Sequence, residues 1–308
     1  MKKIKCFILV MFLLLLVGCG KEEVDSDKLT IVSTSFPGYD FARAVVGAED
    51  AELVMLIKPG SEVHSYDPSP KDIVTIQNSD VFIYVGGESE RWVANIISSI
   101  DTSHTKVIRL MDYVDLSYEE VKEGMDVSHE EDEEYDEHIW TSPKNAMKLL
   151  KAIYTAISAS DSLNEGIYLN NYNSYLDKIT KLDSSITEIV NNSARKTIVF
   201  GDRFPFKYFV DEYDLNYFAA FPGCSSETEA SAKTVAFLID KVKQENIPVV
   251  FYLEMSNHKV ADLIVEETNA KALEFHSVHN LTRDEFASGL TYVDVMNKNV
   301  SNLKEALN

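Results

Sequence analysis

Four of the seven histidines in this chain are the residues that we consider first as ligands for a metal ion. They are His64, His138, His276 and His279, and long stretches of chain separate the first two from each other and from the last pair. Neutral imidazole is the commonest protein ligand for a transition metal. Because these candidates are scattered and do not form one short motif, we expect a site that is assembled where two parts of the fold meet.

The first 19 residues have the features of a bacterial export signal followed by a lipid attachment site. Three lysines precede the apolar run Phe7–Val17, which is shorter than the roughly 20 residues of a spanning helix. The sequence Leu16-Val17-Gly18-Cys19 resembles a bacterial lipobox, which implies lipidation of Cys19. We expect a signal peptide over 1–18, the lipidated cysteine and a polar tether over 19–28, and an anchor on the extracytoplasmic face of the cell membrane. A metal site held there is more consistent with capture than with catalysis.

Composition argues against several other classes of protein. The formal net charge is −21, so the chain would repel nucleic acid, and no basic patch offsets this charge. Of the three cysteines, Cys6 leaves with the signal and Cys19 is lipidated, so Cys224 has no intrachain disulfide partner. The count excludes a zinc site built on cysteines, and we interpret Cys224 as a partly buried loop thiol. The acidic segment 128–138 is interpreted mainly as a solvated loop.

Short apolar runs alternate with helical patterns in both halves, which predicts parallel strands with helical crossovers. The predicted strands are Leu29–Val32, Leu53–Ile57, Val81–Val85 and Lys106–Leu110, then Thr197–Phe200, Leu215–Phe221, Val249–Leu253 and Ala272–Phe275. The predicted helices between them are Tyr39–Val46, Pro70–Asn78, Glu90–Ser99, Pro205–Glu212, Ser231–Glu245 and Lys259–Glu267. The fold class is therefore α/β, with two lobes that each contain a mostly parallel four-stranded sheet flanked by helices.

A long helix is predicted between the two halves. The segment 161–192 contains no proline, and its apolar residues recur mainly at steps of three, four and seven. About 30 helical residues would span roughly 45 Å. Ser142 and Pro143 predict the start of the preceding helix. We expect an N-terminal lobe over 29–160, a rigid connecting helix over 161–193 and a C-terminal lobe over 194–308.

Three of the histidines lie next to predicted element ends. His64 is in the loop after a strand, His276 directly follows the last predicted strand, and His138 directly precedes the helix that Ser142 caps. In open parallel sheets, ligands bind outside the carboxyl ends of the strands. Three histidines at such positions favour a shared site over three unrelated surface residues.

Several segments resemble the metal-binding lipoproteins of the cluster A-I family, the zinc and manganese receptors of ABC importers. They are Ser33–Pro37, Gly60–Pro68, Asp136–Pro143 and Phe251–Glu254, and with the long helix the resemblance covers residues 29–308. It implies a receptor, not an enzyme, that captures Zn²⁺ in the cleft between its lobes and delivers it to a membrane permease. It also implies that His64 and His138 are ligands, and we expect a monomer.

The C-terminal half departs from the pattern of that family. Where the family has a third histidine or glutamate after the first strand of the second lobe, this chain has Asp202 and Arg203. At the family's final aspartate it has His276. His279 is therefore our first candidate for the remaining ligand, Asp202 is the second, and Glu254 is the third. A water molecule as the fourth ligand also stays open.

Ligand chemistry favours Zn²⁺ over Mn²⁺. Zinc takes four N, S or O ligands, whereas manganese prefers more carboxylates and a higher coordination number. A histidine in place of an aspartate at position 276 thus favours zinc. Because imidazole must be neutral to bind, affinity should fall below about pH 6.5.

Three alternatives to a zinc receptor stay open at this stage. The first is a manganese receptor of the same family. The second is a receptor for an organic ligand or a metal chelate, which would need a cleft large enough for a drug-sized molecule. The third is an extracellular zinc enzyme, against which stands the lack of a His-Glu-x-x-His motif and of a nucleophile elbow in the sequence.

Overall fold

The structure of the protein is a computed structural model that describes residues 28–47, 51–126, 134–225 and 229–308. The predicted signal peptide over 1–18, Cys19 and the tether up to residue 27 lie outside these ranges, as do residues 128–133 of the acidic segment. Within the described ranges, no helix is both long and apolar enough to cross a membrane.

Eight strands form two separate sheets, and every strand pairing within them is parallel. The first sheet has the order β2-β1-β3-β4, with β1 at Leu29–Ser33, β2 at Ala51–Met55, β3 at Val81–Tyr84 and β4 at Lys106–Arg109. The second has the order β6-β5-β7-β8, with β5 at Thr197–Phe204, β6 at Asn216–Pro222, β7 at Val249–Tyr252 and β8 at Lys271–Glu274. The predicted fold class is confirmed.

Helices connect the strands within each sheet, and in the sequence further helices lie between the last strand of the first sheet and the first strand of the second. In the described residues they are α1 at Phe36–Val46, α2 at Pro70–Gln77, α3 at Arg91–Ser99, α4 at Pro143–Ser160, α5 at Glu165–Asn191, α6 at Lys207–Tyr213, α7 at Ala232–Glu245, α8 at Lys259–Glu266, α9 at Arg283–Ala287 and α10 at Tyr292–Leu307. As expected, Ser142 caps α4, because its side chain accepts a hydrogen bond from the backbone N–H of Asn145, and Pro143 opens the helix.

The long helix α5 has 27 residues, or about 40 Å of helix. It packs against α1, α4 and α10, and the side chains that it buries recur at helical spacing: Tyr168, Tyr175, Ile179, Leu182, Ile186 and Val190. It begins four residues later than 161, because the carboxylate of Asp161 accepts hydrogen bonds from the Asn164 amide and the Tyr168 hydroxyl, each at 2.7 Å. These bonds favour a short 3₁₀ turn ahead of the helix.

The buried carboxylate of Asp40 ties helices of both halves together. It accepts a hydrogen bond from the Tyr175 hydroxyl of α5 at 2.5 Å and another from the backbone N–H of Tyr292 at the start of α10 at 2.8 Å. Arg43 pairs with the same carboxylate. The two sheets therefore rest on one shared layer of helices, and this layer fixes the loops that face each other across the cleft.

Candidate metal centre

Three of the predicted histidines lie together between the two lobes. One ring nitrogen from each of three side chains, His64, His138 and His279, lies within 4.8 Å of the corresponding nitrogens of the other two. Their ring centroids are 5.2–5.7 Å apart. Nitrogen atoms bound to one zinc ion at about 2.0–2.1 Å lie about 3.3–3.5 Å apart. Side-chain shifts on the order of 1 Å would thus bring all three onto one ion.

The sheet topology explains why these histidines meet. His64 lies in the loop after β2, and His279 lies in the loop after β8, so each follows the carboxyl end of a parallel strand. His138 precedes a 3₁₀ turn, Ile139–Thr141, which leads into α4. The loop of His279 is held against the first lobe, because its carbonyl accepts a hydrogen bond from the Phe36 N–H at 3.3 Å.

Asp136 fixes the orientation of His138. Its Oδ1 lies 3.1 Å from Nδ1 of His138 and accepts the His138 backbone N–H at 2.7 Å, and both side chains are 1% exposed. A carboxylate beside Nδ1 favours the proton on that nitrogen, which leaves the lone pair of Nε2 for a metal. Burial alone would lower the pKa of His138, but Asp136, with help from Glu137 and Glu119, raises that pKa above its usual value.

Glu137 lies behind His64. Its Oε1 lies 3.2 Å from Nδ1 of His64, and its Oε2 accepts a hydrogen bond from the Ser89 hydroxyl at 2.9 Å. Burial would raise the pKa of Glu137, but the neighbouring His64 and His138 hold it below its usual range. Glu137 is therefore a carboxylate anion that can balance the charge of a bound cation.

His279 is held neutral by its surroundings. It is buried, with its ring centroid 4.7 Å from that of Trp140. Burial lowers its pKa well below the usual value, and His64, His138 and Arg203 lower it further. Trp140 also donates a hydrogen bond from its indole to the Ser277 carbonyl at 2.8 Å, which fixes the loop. His279 thus presents the neutral form of imidazole that binds metals.

His276, one of the four expected ligands, lies outside this group. Its Nδ1 accepts the Val278 N–H at 2.8 Å, and its Nε2 lies 3.9 Å from the Glu285 carboxylate. Asn299 bonds both the N–H and the carbonyl of His276, each at 2.8 Å. The turn between the two histidines has Val278 at φ +62°, and it separates His276, on the inner side, from His279 in the cleft.

His276 instead serves the interior of the C-terminal lobe. It is 2% exposed, and its Nδ1 lies 3.5 Å from a carboxylate oxygen of Glu254. Burial would lower the pKa of His276, but Glu254, Glu285 and Glu274 raise it. The nearby His276 imidazole in turn lowers the pKa of Glu285 to about 2. His276 thus lies among the carboxylates of the C-terminal lobe, adjacent to the cleft loop.

The carboxylates predicted as competing ligands are engaged elsewhere. Asp202 accepts the backbone N–H of Arg203 at 2.8 Å and that of Leu253 at 3.2 Å. Glu254 accepts the N–H of Ser277 at 2.8 Å and also its hydroxyl. Among the residues that the structure describes, neither joins the histidine group. Glu254 does line the same cavity, so it is nearer to the site than Asp202 is.

The cavity at the histidine group is small. Its volume is about 50 Å³, and it is lined by His64, His138, His279, Arg203, Glu254 and loop residues around them. Pockets for drug-sized molecules occupy about 300–1,000 Å³. The space suits an ion with one or a few water molecules.

A second set of potential ligand atoms adjoins the first. A nitrogen of His64, a carboxylate oxygen of Glu137 and Sγ of Cys224 lie within 4.8 Å of one another. Cys224 is half-buried, as its sequence context predicted. Burial raises the pKa of its thiol well above the usual value, and Glu137 and Glu119 contribute. Sequence reasoning named no role for Glu137, although its position directly before His138 in a ligand motif was the available signal.

The sequence matches the family described as zinc-uptake complex component A, periplasmic (ZnuA), over residues 31–306. The chain belongs to this family. The resemblance that the two histidine motifs indicated is thereby confirmed.

Two bacterial relatives show how far the similarity extends. The chain is 31% identical over 315 residues to the high-affinity zinc uptake system protein ZnuA of Bacillus subtilis (strain 168), covering 98% of this chain and 96% of that protein. It is 31% identical over 309 residues to the zinc-binding lipoprotein AdcA of Streptococcus pneumoniae (strain ATCC BAA-255 / R6). That match covers 99% of this chain but 61% of AdcA, so the chain spans less than two thirds of that relative.

Solved structures share the fold over most of the chain. The metal-dependent lipoprotein YcdH of Bacillus subtilis matches with a TM-score of 0.78 and 29% identity, covering 91% of this chain and 100% of that one. The Zn(II)-bound ZnuA-like domain of Streptococcus pneumoniae AdcA matches with a TM-score of 0.76 and 29% identity, covering 91% and 99%.

Proposed function

We propose that this protein is an extracytoplasmic receptor that captures Zn²⁺ between its lobes and delivers it to the permease of an ABC importer. The observation that carries the proposal is the group of three imidazoles, His64, His138 and His279, with ligand atoms within 4.8 Å of one another. The names of the relatives, a zinc-binding lipoprotein and a zinc uptake protein, support the same cargo. Membership of a zinc-uptake family favours capture over catalysis.

The donor set supports zinc as the cargo and leaves manganese as the alternative. The group contains three nitrogen donors and no carboxylate, which suits Zn²⁺ better than Mn²⁺. A water molecule would complete the four ligands, since Glu254 lines the same cavity but has both of its carboxylate oxygens bonded to Ser277. One Mn-bound protein has the same fold, with a TM-score of 0.74, but at 21% identity it bears on the fold alone.

The small cavity argues against two other candidate functions. At about 50 Å³ it is below the size that an organic ligand or a bulky metal chelate needs. A zinc hydrolase would need substrate access and a general base beside an open coordination position. The carboxylates closest to the histidines, Asp136 and Glu137, lie behind the rings at their Nδ1 atoms, where they orient the ligands.

The membrane anchor and the division of the chain are part of the same proposal. Lipidation of Cys19 after removal of residues 1–18 would hold the receptor beside its permease on the outer face of the membrane. The relative AdcA is named a lipoprotein, which supports this anchor. We also propose that the protein works as a monomer, with lobes over 29–160 and 194–308 joined through 161–193.

Calorimetric titration with Zn²⁺ and with Mn²⁺ tests the proposal. Every described helix and strand lies from Leu29 onward, so a protein that starts at residue 20 keeps the whole described fold. After metal removal it should bind one Zn²⁺ tightly and Mn²⁺ weakly. His64→Ala, His138→Ala and His279→Ala should each weaken zinc binding by about 100-fold or more, since loss of an orienting partner alone costs about 10–100-fold.

A matched control is His258→Ala. His258 is about half exposed and pairs with Asp262 at 2.8 Å, outside the histidine group. Its replacement should leave zinc affinity unchanged. Equal affinities for His279→Ala and His258→Ala would refute the ligand set, and tighter binding of Mn²⁺ than of Zn²⁺ would refute the cargo.

A further inference from the structure

Cys224 lies beside the three-histidine group without belonging to it. Its Sγ, a nitrogen of His64 and a carboxylate oxygen of Glu137 lie within 4.8 Å of one another. Thiolate, imidazole and carboxylate are the three donor types that proteins use for zinc. Donors bound to one zinc ion at about 2.0–2.3 Å lie about 3.3–3.8 Å apart. This second set therefore needs shifts of about the same size as the histidine group does.

The carboxylate of Glu137 gives an independent reason to place a cation here. Glu137 is 2% exposed, and its Oε1 makes no hydrogen bond, although it lies 3.2 Å from Nδ1 of His64. Its other oxygen accepts a hydrogen bond from Ser89 at 2.9 Å. A buried carboxylate oxygen without a donor is costly, and a bound cation would satisfy it.

The surroundings of the thiol are acidic and ordered. The backbone N–H of Cys224 donates to Oε1 of Glu119 at 2.8 Å, which holds the Cys224 turn against the segment that carries Glu119. With Glu119, Asp136 and Glu137 nearby, the local potential is negative and attracts cations. The packing of these loops therefore holds the sulfur beside His64, in a region of negative potential.

His64 is the ligand best able to serve both sets. Its side chain is 20% exposed, whereas that of His138 is 1% exposed. His64 contacts Glu137 on one side, and its ring centroid is 5.2 Å from that of His279 on the other. A modest rotation of this one ring would change which set it completes.

We propose that His64, Glu137 and Cys224 form a second metal site, which shares His64 with the histidine group and takes a borderline or soft divalent ion such as Zn²⁺, Co²⁺ or Cd²⁺. Metal binding replaces the thiol proton, which passes to solvent, and no oxidation state changes. Because His64 serves both sets, one ion occupies one set or the other. This second site rests on the proposed function, since it concerns the same cargo.

Co²⁺ absorption spectroscopy tests the second site directly, because a thiolate bound to Co²⁺ gives a charge-transfer band in the near ultraviolet. In a protein that starts at residue 20, Cys224 is the only cysteine, so the band reports this residue alone. His279→Ala weakens the histidine group and leaves the second set complete. We expect this variant to bind Co²⁺ with the thiolate band. Adding Cys224→Ser should abolish the band and weaken Co²⁺ binding by about tenfold or more.

A second background guards against a folding defect in the first. His138→Ala, with and without Cys224→Ser, should give the same pair of spectra, and circular dichroism checks that each variant is folded. Absence of the thiolate band in both histidine variants would overturn the second site. Failure of the unmodified protein to bind Zn²⁺ would instead overturn the proposed function, so the two failures are distinguishable.

Discussion

Replacement of Asp136 by asparagine tests whether the carboxylate behind His138 contributes to zinc capture. The amide side chain of the variant would keep the size of the carboxylate and an oxygen that can accept the His138 N–H, now at 2.7 Å. It would remove the negative charge that lies 3.1 Å from Nδ1 of His138. That charge makes the imidazole a stronger donor and fixes its tautomer. We therefore expect weaker zinc binding with little change in fold.

The expected loss follows from the burial of the pair. Removal of a partner that orients a metal-bound histidine typically costs about 10–100-fold in affinity, or about 1.4–2.8 kcal/mol. Both side chains are 1% exposed, so water screens their interaction little. We expect a loss in the upper half of that range for Asp136→Asn.

The pH dependence of this loss is a second signature. Asp136 raises the pKa of His138, so in the unmodified protein zinc must displace a proton from His138 as the pH falls. The variant has a lower His138 pKa and less proton competition. The difference in zinc affinity between the unmodified protein and Asp136→Asn should thus be largest near pH 8 and become smaller toward about pH 6.

Competition against a zinc-binding dye at both pH values measures the effect. The matched control is Asp262→Asn, which removes the carboxylate from the exposed pair with His258, where Nδ1 and Oδ2 are 2.8 Å apart. This control should bind zinc as the unmodified protein does. If Asp136→Asn binds zinc within about twofold of the control at both pH values, the carboxylate does not support His138 as argued.

Three further predictions concern other parts of the structure. His276→Ala should leave zinc affinity nearly unchanged but lower the free energy of unfolding by roughly 1–3 kcal/mol in urea, because the buried Val278 N–H loses its acceptor and Glu285 loses a neighbouring imidazole. A large loss of zinc affinity at full stability would restore His276 as a ligand. As the pH is lowered, the zinc affinity of the unmodified protein should already decrease before pH 6.5 is reached, because the pKa of His138 is raised. Titrations that show a constant affinity down to about pH 5.5 would contradict this. Gly201→Ala should destabilise the fold by roughly 1–3 kcal/mol, because its Cβ would lie 2.5 Å from the Ala261 backbone N, whereas Gly166→Ala meets no atom within 4 Å and serves as the control in thermal unfolding.

The strands and most helices could be predicted because their sequence signals are local. β3 was expected at Val81–Val85 and forms at Val81–Tyr84, since a β-branched and aromatic run between turn residues has few alternatives. No element was predicted after residue 275, although α10 begins with a capping box of Thr291 and Asp294 and has helical periodicity. That signal was available and was overlooked.

Both His276 and His279 were expected as ligands, and spacing could not show that only His279 joins the other two histidines. Both follow the last strand, and the outcome depends on Val278, which adopts φ +62° in a region that β-branched residues rarely occupy. The surrounding fold imposes this conformation: Asn299 of α10 holds His276 from one side, and Phe36 of α1 holds the His279 carbonyl from the other. Contacts of this range are not encoded in a local pattern.

The charge balance of the site also depends on contacts that only the fold creates. The histidine group contains no carboxylate, so the two positive charges of a bound zinc ion must be offset from outside its ligand shell. The adjacent residues Asp136 and Glu137 do this for two different loops, one behind His138 and the other behind His64. The segment Asp136–His138 therefore supplies one ligand, His138, and the negative charges that lie behind two ligands, His138 and His64. Substitutions at 136 and 137 should therefore weaken metal binding, as substitutions of the histidines do. The Asp136→Asn titration tests this expectation.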